Sequence, residues 1–282
     1  MYLLFDIGGT KFRYAVSRDG ETIEEPVILS TPKSFEDAVK VFSKIQKELR
    51  GEPLKAVAVG IAGPLDEQRS MLVASPHIVS WVQKPLKKEL ERIFNVPAYL
   101  GNDSMFVGLG EAVHGAGQGY PIVAYLTVST GVGGARIIEG KEDRSALGFE
   151  PGHQIVDFKS DVSCGPGCKG KGHLESFVSG TALERRTGKK AREVLDPTIW
   201  EELAQVLAVG LNNTVMHWSP DVVVLGGAMI LGTPSIPWDS LNSYYQKAVT
   251  IFPKPPPLKK GMLRDIGGLH GALIFAKQKE DV

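Results

Sequence analysis

One plan occurs twice in this chain of 282 residues: an apolar strand, a turn of glycine and threonine, and a second strand running back. The first copy reads YLLF, DIGGTK, FRYAVS over 2–17, and the second reads IVAYLTV, STGVGG, ARII over 122–138. A chain that repeats this unit so far apart is expected to build its core twice. Paired glycines let backbone amides come close to an anion, and a hydroxyl or an ammonium beside them adds further donors. Gly8, Gly9, Thr10 and Lys11 in the first turn, and Thr130, Gly131 and Gly133 in the second, are therefore candidate phosphate contacts. Asp6, where the first strand ends, is placed to hold Mg²⁺ through water. Either turn alone also reads as an ordinary Gly-Gly hairpin; the repetition favours a pair of turns clamping one phosphate chain from two sides.

The intervening segments alternate helix and strand. Ser34 is a candidate N-cap for a helix over 34–49, where Phe35, Ala38, Val39, Phe42, Ile45 and Leu49 form one apolar stripe. The continuous run KAVAVGIA at 55–62 suits a strand covered on both faces. A helix over 85–94 and a short strand at 98–100 lead to Gly101-Asn102-Asp103, directly before a helix over 104–113. Asp103 at that junction has two readings: a helix cap, or a carboxylate presented at the mouth of a sheet, where α/β proteins place their chemistry. Later, Asp196-Pro197 opens a long helix that stops at Pro220, DVVVL at 221–225 forms a strand, and Gly226-Gly227 makes a third backbone turn able to admit a flat ligand or a phosphate. A last helix is expected over about 269–279.

The segment 150–175 holds the only two cysteines, Cys164 and Cys168, with His153 and His173 beside them. Two thiolates and two imidazoles can fill the four positions of a tetrahedral Zn²⁺ site. The loop between them is rich in Gly and Pro, so a metal would supply order that few apolar side chains can. The plainer reading is a glycine-rich surface loop that carries two thiols and two histidines. Residues 165–170 match GxGxxG, but no strand–helix context is expected there, so a dinucleotide fingerprint is set aside.

Composition excludes several classes. Thirty-two basic and 32 acidic residues cancel, so no global field favours nucleic acid or an anionic membrane. Two cysteines do not make a disulfide scaffold, and no apolar run is long enough for a signal peptide or a membrane span. A cytoplasmic protein without nucleic-acid or membrane partners is expected.

Taken together, these segments resemble the ROK family of sugar kinases within the actin-like ATPase superfamily. The likeness rests on FDIGGTK, on GIAGPLD at 60–66, on GND at 101–103, on STGVGGA at 129–135, on EPGH at 150–153, on Leu174-Glu175 and on VVLGGA at 223–228, all in family order. It implies an α/β protein of two domains with a ribonuclease H-like, duplicated mixed β-sheet core and a cleft between the domains. The expected division is a small domain of residues 1–110 with the final helix at about 267–282, and a larger one of 111–266 carrying the zinc loop.

The resemblance also implies an activity: transfer of the γ-phosphate of ATP to a hydroxyl, the 6-hydroxyl by expectation, of a hexose such as glucose or of an N-acetylhexosamine. It gives Asp103 the role of general base. Asn102, Glu150, His153 and Glu175 would read the other sugar hydroxyls, Gly226 and Gly227 would lie on the adenosine side, and a homodimer is expected. ATP, Mg²⁺ and a structural Zn²⁺ on His153, Cys164, Cys168 and His173 are the implied ligands. Two departures stand out. The family pattern before Leu-Glu is Cys-x-Cys-Gly-x-x-Gly-Cys; here His173 takes the last position and Cys164 lies four residues before Cys168. Near Pro76, where sugar-phosphorylating members carry Asn, this chain has His77. The competing reading is a non-catalytic, sugar-binding or regulatory member; the zero net charge and the first motif's place near residue 1 argue against a DNA-binding module.

Overall fold

A computed structural model describes every residue except Arg50, Pro76, His77, Pro166, Gly167, Asp281 and Val282. His77, which stands where sugar-phosphorylating members carry Asn, therefore lies outside the described residues. The chain divides into two compact units, one of Met1–Gly110 with Asp265–Val282 and one of Glu111–Arg264.

The first unit holds strands β1 (Tyr2–Ile7), β2 (Lys11–Ser17), β3 (Val27–Ser30), β4 (Ala56–Ile61) and β5 (Ala98–Asn102), in sheet order β3-β2-β1-β4-β5. β1, β4 and β5 run parallel, whereas β2 and β3 are antiparallel to their neighbours. Helices α1 (Phe35–Glu48) and α2 (Leu86–Phe94) cover one face. The α1 stripe buries Phe35, Ala38, Phe42 and Ile45, and Ser34 caps it by accepting from the Asp37 amide. Phe5, Phe12 and Phe42 meet with ring centroids 5.3–5.7 Å apart, an aromatic nucleus under the first glycine turn. On the other face β4 meets α3 (Asp103–His114) and α9 (Gly267–Glu280), and for that reason all six β4 residues are buried.

The second unit repeats the arrangement. β6 (Ile122–Val128), β7 (Val132–Ile138) and β8 (Lys141–Glu142) form the antiparallel half. A hairpin of β9 (Ser163–Gly165) and β10 (Cys168–Lys171) stands apart as a two-stranded sheet. Helices α4 (Glu175–Val178), α5 (Gly180–Thr187) and α6 (Pro197–Trp218) follow, then β11 (Val222–Gly226), α7 (Ala228–Leu231), α8 (Trp238–Ala248) and β12 (Leu258–Lys260). The second sheet runs β12-β11-β6-β7-β8, with β6, β11 and β12 parallel. Strand for strand, this is the order and direction of the first sheet, so the core is duplicated as expected. The long α6 packs Trp200, Leu203, Leu207 and Leu211 into the core of this unit, and Asp196 caps it by accepting from Thr198.

Several boundaries move from those expected. Asp6 and Ile7 stay in β1, paired with Arg13 and Phe12, so the first turn is only 8–10. Gly133 and Gly134 belong to β7, opposite Thr127 and Leu126, so the second turn is only 129–131. Gly226 ends β11, and the turn after it rests on Gly227, whose φ of +87° suits glycine. The final helix begins at Gly267 rather than Leu269. Glycine in a sequence signals a turn, but here several glycines sit in strands or helices because another backbone passes close by.

Candidate active site

Asp6 and Asp103 stand at the carboxyl ends of the parallel strands of the first sheet, the edge at which α/β sheets present ligands. Hairpin register places Arg13 opposite Asp6, and its guanidinium donates to Asp6 Oδ2 at 3.0 Å and to Asp265 Oδ1 at 3.1 Å. The Asp6 side chain is only 14% exposed. Burial raises its carboxyl most, Arg13 pulls the other way, the neighbouring charge of Asp103 raises it again, and the balance leaves it pushed up to about 6. A buried carboxylate held against this penalty and facing a second carboxylate is a fitting place for a divalent cation.

Asp103 is the first residue of α3, and the capping of that helix falls mainly to its neighbour. Asn102 Oδ1 accepts from the amides of Ser104 (2.9 Å) and Met105 (3.3 Å), while its Nδ2 donates to Gly63 O at 3.4 Å. Asp103 Oδ1 accepts from the Ser104 amide at 2.7 Å. Asn102 thus spans both amides at the start of the helix, and Asp103 shares the Ser104 amide with it. In the first turn the Gly8 amide donates to Lys11 O at 2.9 Å, and Thr31 braces the turn by donating its hydroxyl to Gly8 O at 2.7 Å. Gly9, Thr10 and Lys11 are exposed. Of the four candidate phosphate contacts from Gly8 to Lys11, Gly8 therefore has its amide committed within the loop.

In the second unit, His153, Cys164, Cys168 and His173 come together with their ligand atoms within 4.8 Å of one another. Both histidines turn Nδ1 inward. The two Nδ1 atoms are 3.2 Å apart, His173 Nδ1 lies 3.3 Å from Cys164 Sγ and 3.4 Å from Cys168 Sγ, and His153 Nδ1 lies 3.6 Å from Cys168 Sγ. Tetrahedral Zn²⁺ with its usual Zn–N and Zn–S lengths separates its ligands by roughly 3.3–3.8 Å. Four of the six ligand separations lie close to that range and all lie within 4.8 Å, so the four side chains could hold such an ion. Without a cation, burial and the adjacent Cys168 push the Cys164 thiol up to about 12, and burial with the adjacent His153 pushes His173 below its ordinary value. A neutral imidazole suits a metal, and a bound cation reverses the thiol's preference. Gly170 belongs to the same construction, since a Cβ there would run into the His173 ring.

Glu175, at the start of α4, accepts from the Val132 amide at 2.7 Å. Glu150 precedes the short 3-10 turn Pro151–His153. Arg13, Asp265 and Thr31 escaped the sequence reading. Of these, Arg13 was within reach, because an antiparallel hairpin around a tight turn sets residue 13 opposite residue 6. Asp265 was not, because it lies 252 positions from its partner.

The ROK family profile matches residues 2–279. This chain belongs to the ROK family. A ROK hexokinase structure from Thermus thermophilus superposes with a TM-score of 0.87 at 30% identity, covering 99% of each chain. A ROK glucokinase from Streptomyces griseus, solved with glucose and AMPPNP, gives a TM-score of 0.79 at 25% identity over 98% of this chain and 99% of that one. A glucokinase of Pyrobaculum calidifontis is 31% identical over 268 residues, 84% of this chain and 81% of its own. The two five-stranded mixed sheets are those of the actin-like ATPase kinases of this family. No helix among the described residues is long and apolar enough to cross a membrane.

Proposed function

We propose that this ROK protein is an ATP-dependent sugar kinase that phosphorylates a hydroxyl, the 6-hydroxyl in the simplest case, of a hexose or N-acetylhexosamine. The observation that carries the reading is Asp103: a carboxylate at the carboxyl edge of the first sheet, beside an Asn102 that shares the Ser104 amide with it and alone holds the Met105 amide. The named activities of the relatives, glucokinase and hexokinase among them, support the same class.

Phosphoryl transfer depends on positioning and charge neutralisation more than on covalent chemistry. In this reading Asp103 accepts the proton of the attacking hydroxyl as its oxygen bonds to the γ-phosphorus and the bond to the leaving ADP oxygen breaks. General-base help of this kind is often worth about 10²–10⁴ in rate. Glu150, Glu175 and the outer nitrogen of His153 accept from or donate to the remaining hydroxyls; a missing or inverted hydroxyl leaves one of them unpaired, which gives selectivity. Asn102 aids mainly by fixing the start of α3 and hence Asp103. Backbone amides and side chains of Gly9, Thr10 and Lys11, and of Thr130 and Gly131, hold the phosphates, and the Gly227 turn lies on the adenosine side. Asp6 would hold Mg²⁺, which when bound neutralises phosphate charge. Zn²⁺ on His153, Cys164, Cys168 and His173 would be structural.

A coupled assay for ADP release over a panel of hexoses and N-acetylhexosamines tests the proposal. Sugar-dependent turnover with at least one of them is expected; binding of sugars without turnover of any would favour a sensor.

A further inference from the structure

The backbone of Val132, the residue that closes the second glycine turn, is held from two directions. Its amide donates to Glu175 Oε2, and a Cβ on Gly131 would come within 2.6 Å of the same oxygen. Its carbonyl oxygen lies so close to Gly152 that any side chain there would collide with it. Gly152 immediately precedes His153, and Glu175 follows His173 by two residues, so each hold on Val132 is anchored beside a histidine of the metal cluster. The two anchors are themselves joined: the Leu174 amide donates to Gln154 O at 2.9 Å, and Ile155 bridges His173.

We infer that Glu175 is a positioning residue for the 129–131 turn, and that it and Gly152 carry the order of the His/Cys cluster into that turn through the two backbone groups of Val132. This rests on the reading above that the turn holds phosphates of ATP. It gives the cluster a second task besides fixing the sugar side: a loosened cluster loosens the nucleotide turn. A carboxylate accepting from a backbone amide is a strong, directional hold, and close packing against glycine leaves the carbonyl little room to move.

The test uses the full-length, zinc-loaded protein with no sugar present. Affinity for AMPPNP is measured by calorimetry, and exchange at the Val132 amide by NMR or mass spectrometry. Glu175→Ala is expected to weaken AMPPNP at least fivefold and to speed Val132 exchange at least tenfold, while β11 amides keep their protection. Glu175→Gln, whose amide oxygen can accept the same bond, should recover most of both. A Glu175 that only reads sugar hydroxyls would move neither in the absence of sugar. Wild type stripped of zinc, with metal loss verified, should show the same faster exchange at Val132, reversed by zinc. Unchanged exchange and affinity in Glu175→Ala overturn the positioning role. Unchanged Val132 exchange in stripped protein, or a chain that takes up no zinc, overturns the link to the cluster. Wild type that fails to bind AMPPNP sinks the nucleotide reading instead, and the exchange at Val132 still decides the coupling.

Discussion

Asp103 and Asn102 share one strand–helix junction and divide its work, and two substitutions separate them. Asp103→Asn leaves the α3 cap in place, because Asn102 still accepts from Ser104 and Met105 and an amide oxygen at 103 can still accept from Ser104. Its melting temperature should stay within a few degrees of wild type while kcat falls roughly 10²-fold or more; wild-type kcat would return Asp103 to a structural role. Asn102→Ala removes the cap and should cost about 1 kcal/mol. Asp6 makes a pH prediction. Its folded carboxyl titrates near 6 against 3.8 for an unperturbed Asp, so between about pH 4 and 6 the native state binds more protons than the unfolded one. The stability it contributes is complete below about pH 4 and lost as pH rises through 6, a swing of about 3 kcal/mol for a shift of this size. In the absence of Mg²⁺ and nucleotide, the melting temperature of wild type relative to Asp6→Asn should therefore climb as pH falls from 7 to 4.5; a flat difference would refute the burial argument.

Among the elements, the 150–175 segment shows best what a sequence discloses and what it hides. The residue types and their crowding disclosed four metal-ligand candidates, because Cys and His have few other reasons to cluster in a glycine-rich loop. Their convergence required a hairpin, β9–β10, that no periodicity announces in strands of three and four residues. Glu175's bond to Val132 was hidden for another reason: it joins positions 43 apart through a turn whose limits depend on the register of β6 with β7. Protein purified without added zinc should carry close to one equivalent, and Cys168→Ser should lower both metal content and melting temperature; a zinc-free protein of full stability would contradict this. Glu111 is a second case with no motif to reveal it. Only 1% exposed, it accepts from the amides of Ala116, Met262 and Leu263 at 2.8–3.1 Å, tying the end of α3 to the segment after β12. Glu111→Ala strands the buried Ala116 amide and leaves the part-buried amides of Met262 and Leu263 to water, and should cost about 1–3 kcal/mol.

At the scale of the whole chain, the central strands β1, β4, β6 and β11 were legible because buried parallel strands are written as unbroken apolar runs, and their duplication because the same turn residues recur, whereas the short edge strands β3, β8 and β12 carry no such run. The role of glycine was not legible in the same way, since a glycine that makes a turn and one that admits a neighbour look alike in sequence. Gly271 is of the second kind, and it matters because α9, the last element of the chain, packs on β1 and β4 to complete the first unit. A Cβ at Gly271 would overlap the carbonyl of Phe106 in the first turn of α3, while the Phe106 and Phe275 rings, with centroids 5.2 Å apart, pack the two helices together. Backbone cannot swing aside as a side chain can, so Gly271→Ala must push α3 away from α9, and α3 begins with Asp103. Overpacking of this kind typically costs about 1–3 kcal/mol. The loss should appear as faster amide exchange in β1, β4 and α3, with β6 and β11 in the second unit keeping their protection. It should also lower kcat more than it raises the KM for ATP, because the shifted element carries the proposed base and not the proposed nucleotide turns. Full activity with an unchanged melting temperature would mean that the helices separate without cost, and the close α3–α9 crossing would then have no part in placing Asp103.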